Sequence, residues 1–314
     1  MRSPSTSSDP DLPSYDRLAV AAGGPPRSSW GLWGPEDRLG CLNLLTPATA
    51  RRGIAEARTG AAFPLDLDLG AIDPPLFGRP AHRHRVHTTV SGHEDELHDW
   101  NPQSGTQWDG FRHVRHPEHG FYNGLDGAAH GTHVWAQHGI VGRAVLADVA
   151  RWRAARGRPI QPFERDGVTP ADVAATLEEQ GTTVATGDII LIRTGWLTAY
   201  RTLDGAQRAE LAGAGVPTAC GLDPGEGTAR YLWDLHVAAA ATDAPGFEVM
   251  PPEPDRFLHH DLLALLGLPL GELFDLDALA TSCATDRRWT AMLVAAPISV
   301  VGGVAAPGCA VAIR

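Results

Sequence analysis

Residues 169–193 read TPADVAATLEEQGTTVATGDIILIR, a helix pattern followed directly by a strand pattern. Thr169 and Asp172 have the spacing of a capping box, and Gly181 follows the predicted helix where glycine commonly ends one. The run DIILIR (188–193) is short and continuously apolar, as in a strand that is covered on both faces of its sheet. A capped helix leading into a buried strand is typical of an α/β domain.

The same alternation continues along the chain. Thr46 followed by Pro47 predicts the start of a helix near 47–58. Further buried strands are predicted by the apolar runs AVLADVA (144–150), VAAAAT (237–242) and AMLVAA (291–296). No internal repeat or second linker interrupts this pattern. We therefore expect one domain over residues 29–314, preceded by a flexible arm over residues 1–28 that is rich in Ser, Pro and Gly.

The composition excludes several classes of function. The 314 residues carry a net charge of −11, so neither nucleic acid nor an anionic membrane surface is an expected partner. All 26 basic residues are Arg and none is Lys, which excludes phosphate-loop and Schiff-base lysine chemistry. Hydrophobic residues make up 43% of the chain and charged residues 20%, as in an ordinary globular protein.

The cysteines and the apolar stretches indicate a cytoplasmic protein. The four cysteines are scattered without CxxC spacing, which does not predict a disulfide framework. The chain starts without an apolar signal core. The longest uncharged stretch, 289–313, is broken by two prolines and by Gly302 and Gly303, so it fits two core strands around a glycine loop better than a membrane span.

Residues 61–140 differ from the rest, because they are polar and contain 11 of the 14 histidines. Such a stretch is typical of a functional loop region. Within it, Gln103, Gln107 and Asp109 lie at alternating positions and would project from one side of an extended strand, with His113 close behind. Oxygen and imidazole ligands on one face predict a cation site, and an ordinary polar loop is the alternative.

Ordered sequence blocks around this segment resemble a metal-dependent cyclase/hydrolase family that includes bacterial kynurenine formamidases. The segment TQWDGFRHV (106–114) resembles the second part of the family signature HxGTHxDxPxH. Blocks typical of a longer subfamily surround it: WGPEDRLGCLNLLTP (33–47), FYNG (121–124), GIVGRAVLADVAR (139–151), LIRTGW (191–196) and an AAP…GG…P ending near 295–307. The resemblance spans residues 30–314. It implies a single α/β domain with a mixed central sheet and flanking helices, of the swivelling β/α/β type.

The family's site residues carry over by position. Its two early metal-binding histidines correspond to Gln103 and Gln107, its metal-binding aspartate to Asp109, and its catalytic histidine to His113. Asp109 could serve both metal positions, so we also count it among the catalytic residues. Phe111 replaces the signature proline.

The distal half of the family's site is an HxxLL…G…E element, which matches residues 257–272 and ends at Glu272. His259 fits the HxxLL spacing, whereas His260 fits the distance to Glu272 better, so both stay candidates.

The two glutamines alter the expected metal content. A glutamine oxygen is a neutral, hard and weak ligand compared with imidazole, whereas the second family set of Asp, His and Glu is intact. The resemblance therefore implies one divalent metal, Mn²⁺ or Zn²⁺, and an empty site is the alternative.

The implied activity is hydrolysis of a small cyclic or acyl substrate such as an amide, a lactone or a formamide. A metal would polarise the carbonyl, and His113 would act as general base and acid. One alternative is a natural-product ring cyclase, of the polyketide type, in which His113 is the acid/base and the metal is optional. Another is a binding protein that has lost the metal. Trp30, Trp33, Trp108 and Phe111 could line an apolar pocket for a ring. A small-molecule substrate and a homodimer or homotetramer are expected.

Overall fold

The structure, a computed structural model, describes residues 12–253 and 255–314. The strands of these residues are β1 (Ala62–Pro64), β2 (Arg83–Thr88), β3 (His93–His98), β4 (Gln107–Asp109), β5 (Ile140–Ala147), β6 (Gly167–Val168), β7 (Ile189–Ile192), β8 (Gly221–Leu222), β9 (Ala239–Thr242), β10 (Leu270–Glu272), β11 (Thr290–Ala295), β12 (Ala305–Pro307) and β13 (Ala310–Ile313). The α-helices are α1 (Pro47–Ile54), α2 (His133–His138), α3 (Val149–Ala154), α4 (Pro170–Glu179), α5 (Trp196–Tyr200), α6 (Gly205–Gly213), α7 (Glu226–Asp234) and α8 (Asp277–Asp286).

One large sheet organises the molecule. Its nine strands run in the order β1-β13-β11-β5-β7-β9-β10-β4-β12. The central strands β5, β7, β9 and β10 are mutually parallel, and the strands on both sides of them pair antiparallel. Helices flank this curled sheet, so the predicted α/β domain with a mixed central sheet is confirmed. The strands β2 and β3 form a separate, largely exposed hairpin.

The predicted elements form where local sequence signals are strongest. Strand β7 is fully buried along its length, as expected for a central parallel strand. Helix α4 begins at Pro170 with the predicted capping box, in which the side chains of Thr169 and Asp172 each accept from the other's backbone N–H. The strand predicted over 144–150 ends earlier, at Ala147. The reason is that the Asp148 side chain caps helix α3 by accepting a hydrogen bond from the Arg151 N–H.

The segment before residue 29 packs against the domain. Tyr15 and Leu18 belong to the hydrophobic core, and the backbone N–H of Tyr15 donates to Asp234 Oδ1 at 2.7 Å. Residues 12–28 therefore lie on the domain instead of forming the flexible arm predicted for residues 1–28. Residues 1–11 of that predicted arm lie outside the described residues.

The pairing of β4 with β10 positions the candidate site. In this antiparallel pair Gln107 lies opposite Glu272, and Asp109 lies opposite Leu270. Alternate residues of a strand share a face, so Gln107, Asp109 and Glu272 project from the same side of the sheet. Among the residues that the structure describes, none of the helices combines the length and the apolar character needed to cross a bilayer.

Candidate metal centre and its pocket

Asp109 is the point on which the candidate side chains converge. It is fully buried at the end of β4. The Gln103 amide donates to Asp109 Oδ1 at 3.0 Å, and the Gln107 amide nitrogen lies 3.5 Å from both carboxylate oxygens. His113 Nε2 lies 3.9 Å from Oδ1, and His259 Nε2 lies 3.9 Å from Oδ2. The structure thus brings Gln103, Gln107, Asp109, His113 and His259 together.

The two glutamines reach Asp109 from different backbone conformations. Gln107 lies on β4, but Gln103 lies in a 3₁₀ turn over Pro102–Ser104, where the Asn101 side chain accepts its backbone N–H. The single strand predicted to carry both glutamines is therefore wrong. The asparagine cap and Pro102 favour a turn, and the strand begins only at Gln107. Both amide nitrogens nevertheless reach the Asp109 carboxylate.

Gln107 carries an unpaired polar atom. Its Nε2 donates to Glu272 Oε2 at 2.7 Å, while its Oε1 is buried without a hydrogen-bond partner in the described residues. A buried carbonyl oxygen without a partner is costly. Rotating the amide by half a turn would instead direct Oε1 at the carboxylates, which is favourable only if a cation lies between them. In the observed orientation this oxygen is an acceptor that the described residues leave free for a further group at the site.

His259, and not His260, faces the site. His259 Nε2 lies 3.3 Å from Glu272 Oε1, whereas the His260 ring packs against His116 and Phe257 at centroid distances of 5.6 and 5.0 Å. A π-helix over His260–Leu265 follows directly. A π-turn holds one more residue than an α-turn, so the chain between His259 and Glu272 is one residue longer than the family spacing. For this reason the spacing from Glu272 favoured His260.

Glu248 is a site residue that the sequence interpretation missed. Its carboxylate is fully buried, and Oε2 lies 2.6 Å from His259 Nδ1, although not in the alignment of a hydrogen bond. Oε1 of Glu248 also accepts the backbone N–H of His259 at 3.3 Å. One signal could have revealed it. Glu248 is the only charged residue in APGFEVMPP (244–252), and a lone charge in such a run is expected to have a partner.

Burial and charge shift the pKa values of the cluster in different directions. Burial, reinforced by Asp109, raises the pKa of Glu272 to about 7. Burial lowers the pKa of His259, but Glu248 and Glu272 outweigh burial and hold it well above its ordinary value. Burial lowers the pKa of His113, with Asp109 acting against it. Three buried carboxylates thus share the site with few positive charges, and such an excess of buried negative charge favours a cation.

The donor set fits a divalent metal. Asp109, His113 and His259 offer ligand atoms that all lie within 4.8 Å of one another. Glu272 joins this cluster through His259 and Gln107. Mixed carboxylate, imidazole and carboxamide ligands suit Mn²⁺ or Zn²⁺. His113, to which the resemblance assigns catalysis, therefore also lies within reach of a metal ion that this cluster would hold.

A small cavity opens above the cluster. Its volume is about 210 Å³, and it is lined by Phe77, Arg79, His113, Val216, Pro245, Met250, Pro252, Phe257, His259 and Glu272. The aromatic residues predicted to line a pocket lie elsewhere. Trp108 packs edge-on against Phe274, and Phe111 packs against Tyr122 and Trp135 in the core. Trp33 borders a different, apolar crevice. The aromatic side chains that line this cavity, apart from histidine, are Phe77 and Phe257, which sequence spacing did not single out.

Comparison with known proteins places the chain in a family. The model of the family described as "Putative cyclase" matches residues 55–249. The crystal structure of a novel cyclase is similar over 91% of this chain and 99% of its own, with a TM-score of 0.81 and 27% identity. Isatin hydrolase A from Labrenzia aggregata, bound to benzyl benzoate, is similar over 80% of this chain and 93% of its own, with a TM-score of 0.59 and 19% identity.

An isatin hydrolase bound to the product analogue thioisatinate is similar over 86% of this chain and 99% of its own, with a TM-score of 0.58 and 19% identity. A search of the curated proteins found no match. The family model covers more than half of the chain, and the expected resemblance is confirmed at the level of the family. The chain therefore belongs to the cyclase family and is an enzyme.

Proposed function

We propose that the protein is a metal-dependent hydrolase that opens a small cyclic or acyl substrate, such as an amide, a lactone or a formamide. The observation that carries this proposal is the convergence of Asp109, His113 and His259 on one point, beside the cavity that His113 and His259 line. The isatin hydrolases that share the fold act on a cyclic amide by their names, which is consistent with this substrate class.

Four side chains would hold the cation. Asp109 and Glu272 would supply carboxylate oxygens, His259 would supply Nε2, and Gln107 would supply its carboxamide oxygen. We propose Mn²⁺ or Zn²⁺ because the set mixes hard oxygens with imidazole. When bound, the cation supplies Lewis-acid polarisation of a substrate carbonyl.

His113 would move the proton. Its side chain is 24% exposed and lines the cavity, so a ring nitrogen can reach a substrate. Because its pKa lies below the ordinary value, the ring is neutral near pH 7 and can accept a proton. The Gln103 amide nitrogen lies 3.1 Å from Nδ1 and 3.3 Å from Nε2, which holds the ring against Asp109. The same ring would return the proton to the leaving nitrogen or oxygen.

Ring closure without hydrolysis is a second candidate function. One observation favours it: in the observed orientation the amides of Gln103 and Gln107 both donate toward Asp109, so these donors compensate part of its charge without a cation. His113 would then abstract a substrate proton, and the metal would be optional.

One experiment separates the two functions. The protein is purified without chelator, its metal is counted by mass spectrometry, and isatin, N-formyl arylamines and aryl lactones are offered with and without added Mn²⁺ or Zn²⁺. We expect hydrolysis that disappears on chelation, returns with metal and is absent in Asp109→Asn. Metal-free protein that hydrolyses none of these compounds but closes a poly-β-keto chain would establish the cyclase instead.

A further inference from the structure

Arg79 is the one arginine among the described residues that line the cavity, and its guanidinium contacts a backbone oxygen and an aromatic ring. One guanidinium nitrogen donates to the backbone oxygen of Gln103. Among the described residues, no carboxylate lies within the 4.0 Å ion-pair distance of this guanidinium. A guanidinium has five N–H donors, so most of its hydrogen-bonding capacity is available to something in the cavity.

The local backbone fixes where this guanidinium lies. Phe77 has a φ of 59° and Gly78 a φ of 65°, so two successive left-handed residues turn the chain just before Arg79. A left-handed conformation is costly for a bulky residue and persists only where the surroundings hold it. The guanidinium carbon of Arg79 lies 4.8 Å from the centre of the Phe77 ring, a cation–π contact. The ring below and the Gln103 carbonyl beside it therefore hold the charge in place.

The other residues that line the cavity form an apolar group and a polar group. Phe77, Phe257, Met250 and Val216 form apolar walls, whereas His113, His259 and Glu272 lie at its floor. A volume of about 210 Å³ is below the range of about 300–1,000 Å³ that is common for drug-sized ligands. The occupant is therefore small, largely flat and apolar, with polar atoms at one end.

We propose that Arg79 binds the carboxylate of a small aromatic acyl ligand and thereby selects anionic ligands over neutral ones. A planar guanidinium matches a carboxylate through two parallel N–H···O bonds, and Arg79 is the only arginine among the described residues that line the cavity. This inference rests on the proposed function and deepens it, because it names the class of compound that the metal centre serves.

The carboxylate has two chemical sources. In the hydrolysis of an amide, water adds to the carbonyl carbon, the C–N bond breaks, the nitrogen takes a proton and the carbonyl becomes a carboxylate. Arg79 would hold either this product carboxylate or a carboxylate that the substrate already carries beside its amide. In both cases the negative charges of Asp109 and Glu272 would repel the ligand unless a cation at the floor offsets them, so anion and metal should bind cooperatively.

The test uses three probes and three variants. Benzoate, benzamide and phthalamate are titrated by calorimetry into Mn²⁺-loaded wild type, Arg79→Gln and Arg79→Lys. Arg115→Gln is the matched control, because it removes the same charge from an exposed position near His113. Metal content and thermal midpoint are measured for each protein, so that binding is compared only between folded and equally loaded samples.

In wild type and in Arg115→Gln we expect benzoate to bind more tightly than benzamide by about tenfold or more, the usual size of a hydrogen bond to a charged group. Arg79→Gln should lose this preference, and Arg79→Lys should keep part of it. If phthalamate binds more tightly than benzoate and also depends on Arg79, the substrate carries the carboxylate; if only benzoate depends on Arg79, the carboxylate is that of the product.

Two results would overturn the proposal: full selectivity in Arg79→Gln, which would assign the anion to the metal alone, or no binding of benzoate by wild type at millimolar concentration. These titrations measure binding and not turnover, so the two proposals can fail independently. If only the hydrolase proposal is wrong, the protein will bind benzoate selectively here and still hydrolyse none of the compounds in the activity assay.

Discussion

The buried carboxylate of Glu248 lies 2.6 Å from Nδ1 of His259, while Nε2 of the same ring lies 3.3 Å from Glu272. Glu248 thus contacts the Nδ1 side of the imidazole, and Nε2 on the other side lies at the candidate metal position. A carboxylate behind a metal-binding histidine fixes the orientation of the ring and increases its basicity. Glu248 is therefore expected to act through His259, as a positioning residue.

We expect Glu248→Gln to weaken metal binding by about 10- to 100-fold, the usual effect of removing such a partner. Competition with a fluorescent chelator would measure the affinity for Mn²⁺ and Zn²⁺. Glu118→Gln, a change at a side chain that is 80% exposed, serves as the control and should leave the affinity unchanged. A thermal midpoint close to that of wild type would show that the loss is not due to unfolding. Equal affinity in Glu248→Gln and wild type would contradict the positioning role.

The glutamines explain why one metal is expected instead of two. A carboxamide brings no charge and binds a cation weakly, so replacing Gln103 and Gln107 by histidine should strengthen that position. We expect the double variant Gln103→His, Gln107→His to raise zinc occupancy toward two ions per chain, because both side chains already reach Asp109. Mass spectrometry of identically loaded proteins gives the count, and Gln161→His, at an exposed position, is the control. An occupancy of two in wild type would show that the glutamines already serve as ligands.

His130 gives a pH dependence of stability that is separate from the metal centre. Its ring is buried, neither nitrogen has a hydrogen-bond partner in the described residues, and it packs near Phe111 and Tyr122. Burial, reinforced by Arg38, lowers the pKa of His130 to about 4. Between this value and the ordinary pKa of about 6.5, the unfolded chain binds a proton that the folded chain excludes. Stability is therefore lost as the pH falls through this window, by about 3 kcal/mol at most.

Replacing His130 by leucine should remove this contribution. Urea unfolding at pH 7 and at pH 4.5 measures the loss of unfolding free energy on acidification in both proteins. We expect the loss to be smaller in His130→Leu than in wild type. His138→Leu, at an exposed position, should behave like wild type. An identical loss in His130→Leu and wild type would show that other groups carry the acid sensitivity.

Local signals predicted the scaffold well. The capping pairs at Thr46 and Thr169 begin helices where expected, and the apolar run at 188–193 contains the central strand β7. These elements depend on neighbouring residues, which a sequence displays directly. The family pattern likewise located Asp109 and Glu272, because they lie on strands whose spacing is regular.

Other parts of the site depend on contacts between distant segments. Glu248 meets His259 only because the segment bridged to Leu222 packs against the helical turn that carries His259. Arg79 reaches the cavity through a left-handed turn that sequence patterns do not predict. The choice between His259 and His260 depended on a π-turn, which shifts the spacing by one residue without a clear sequence signal.

The most direct test of the metal centre is a metal count on Asp109→Asn. Asp109 is fully buried, and its carboxylate oxygens lie 3.9 Å from the nearest nitrogens of both His113 and His259. Its negative charge is therefore close to both imidazole ligands. The variant keeps the shape of the side chain and removes the charge. Wild type and variant are purified without chelator, loaded with Mn²⁺ or Zn²⁺, dialysed and analysed by mass spectrometry, with circular dichroism to confirm folding. We expect one ion per chain in wild type and almost none in the folded variant. Equal metal content in the two proteins, or none in either, would contradict a metal centre at Asp109.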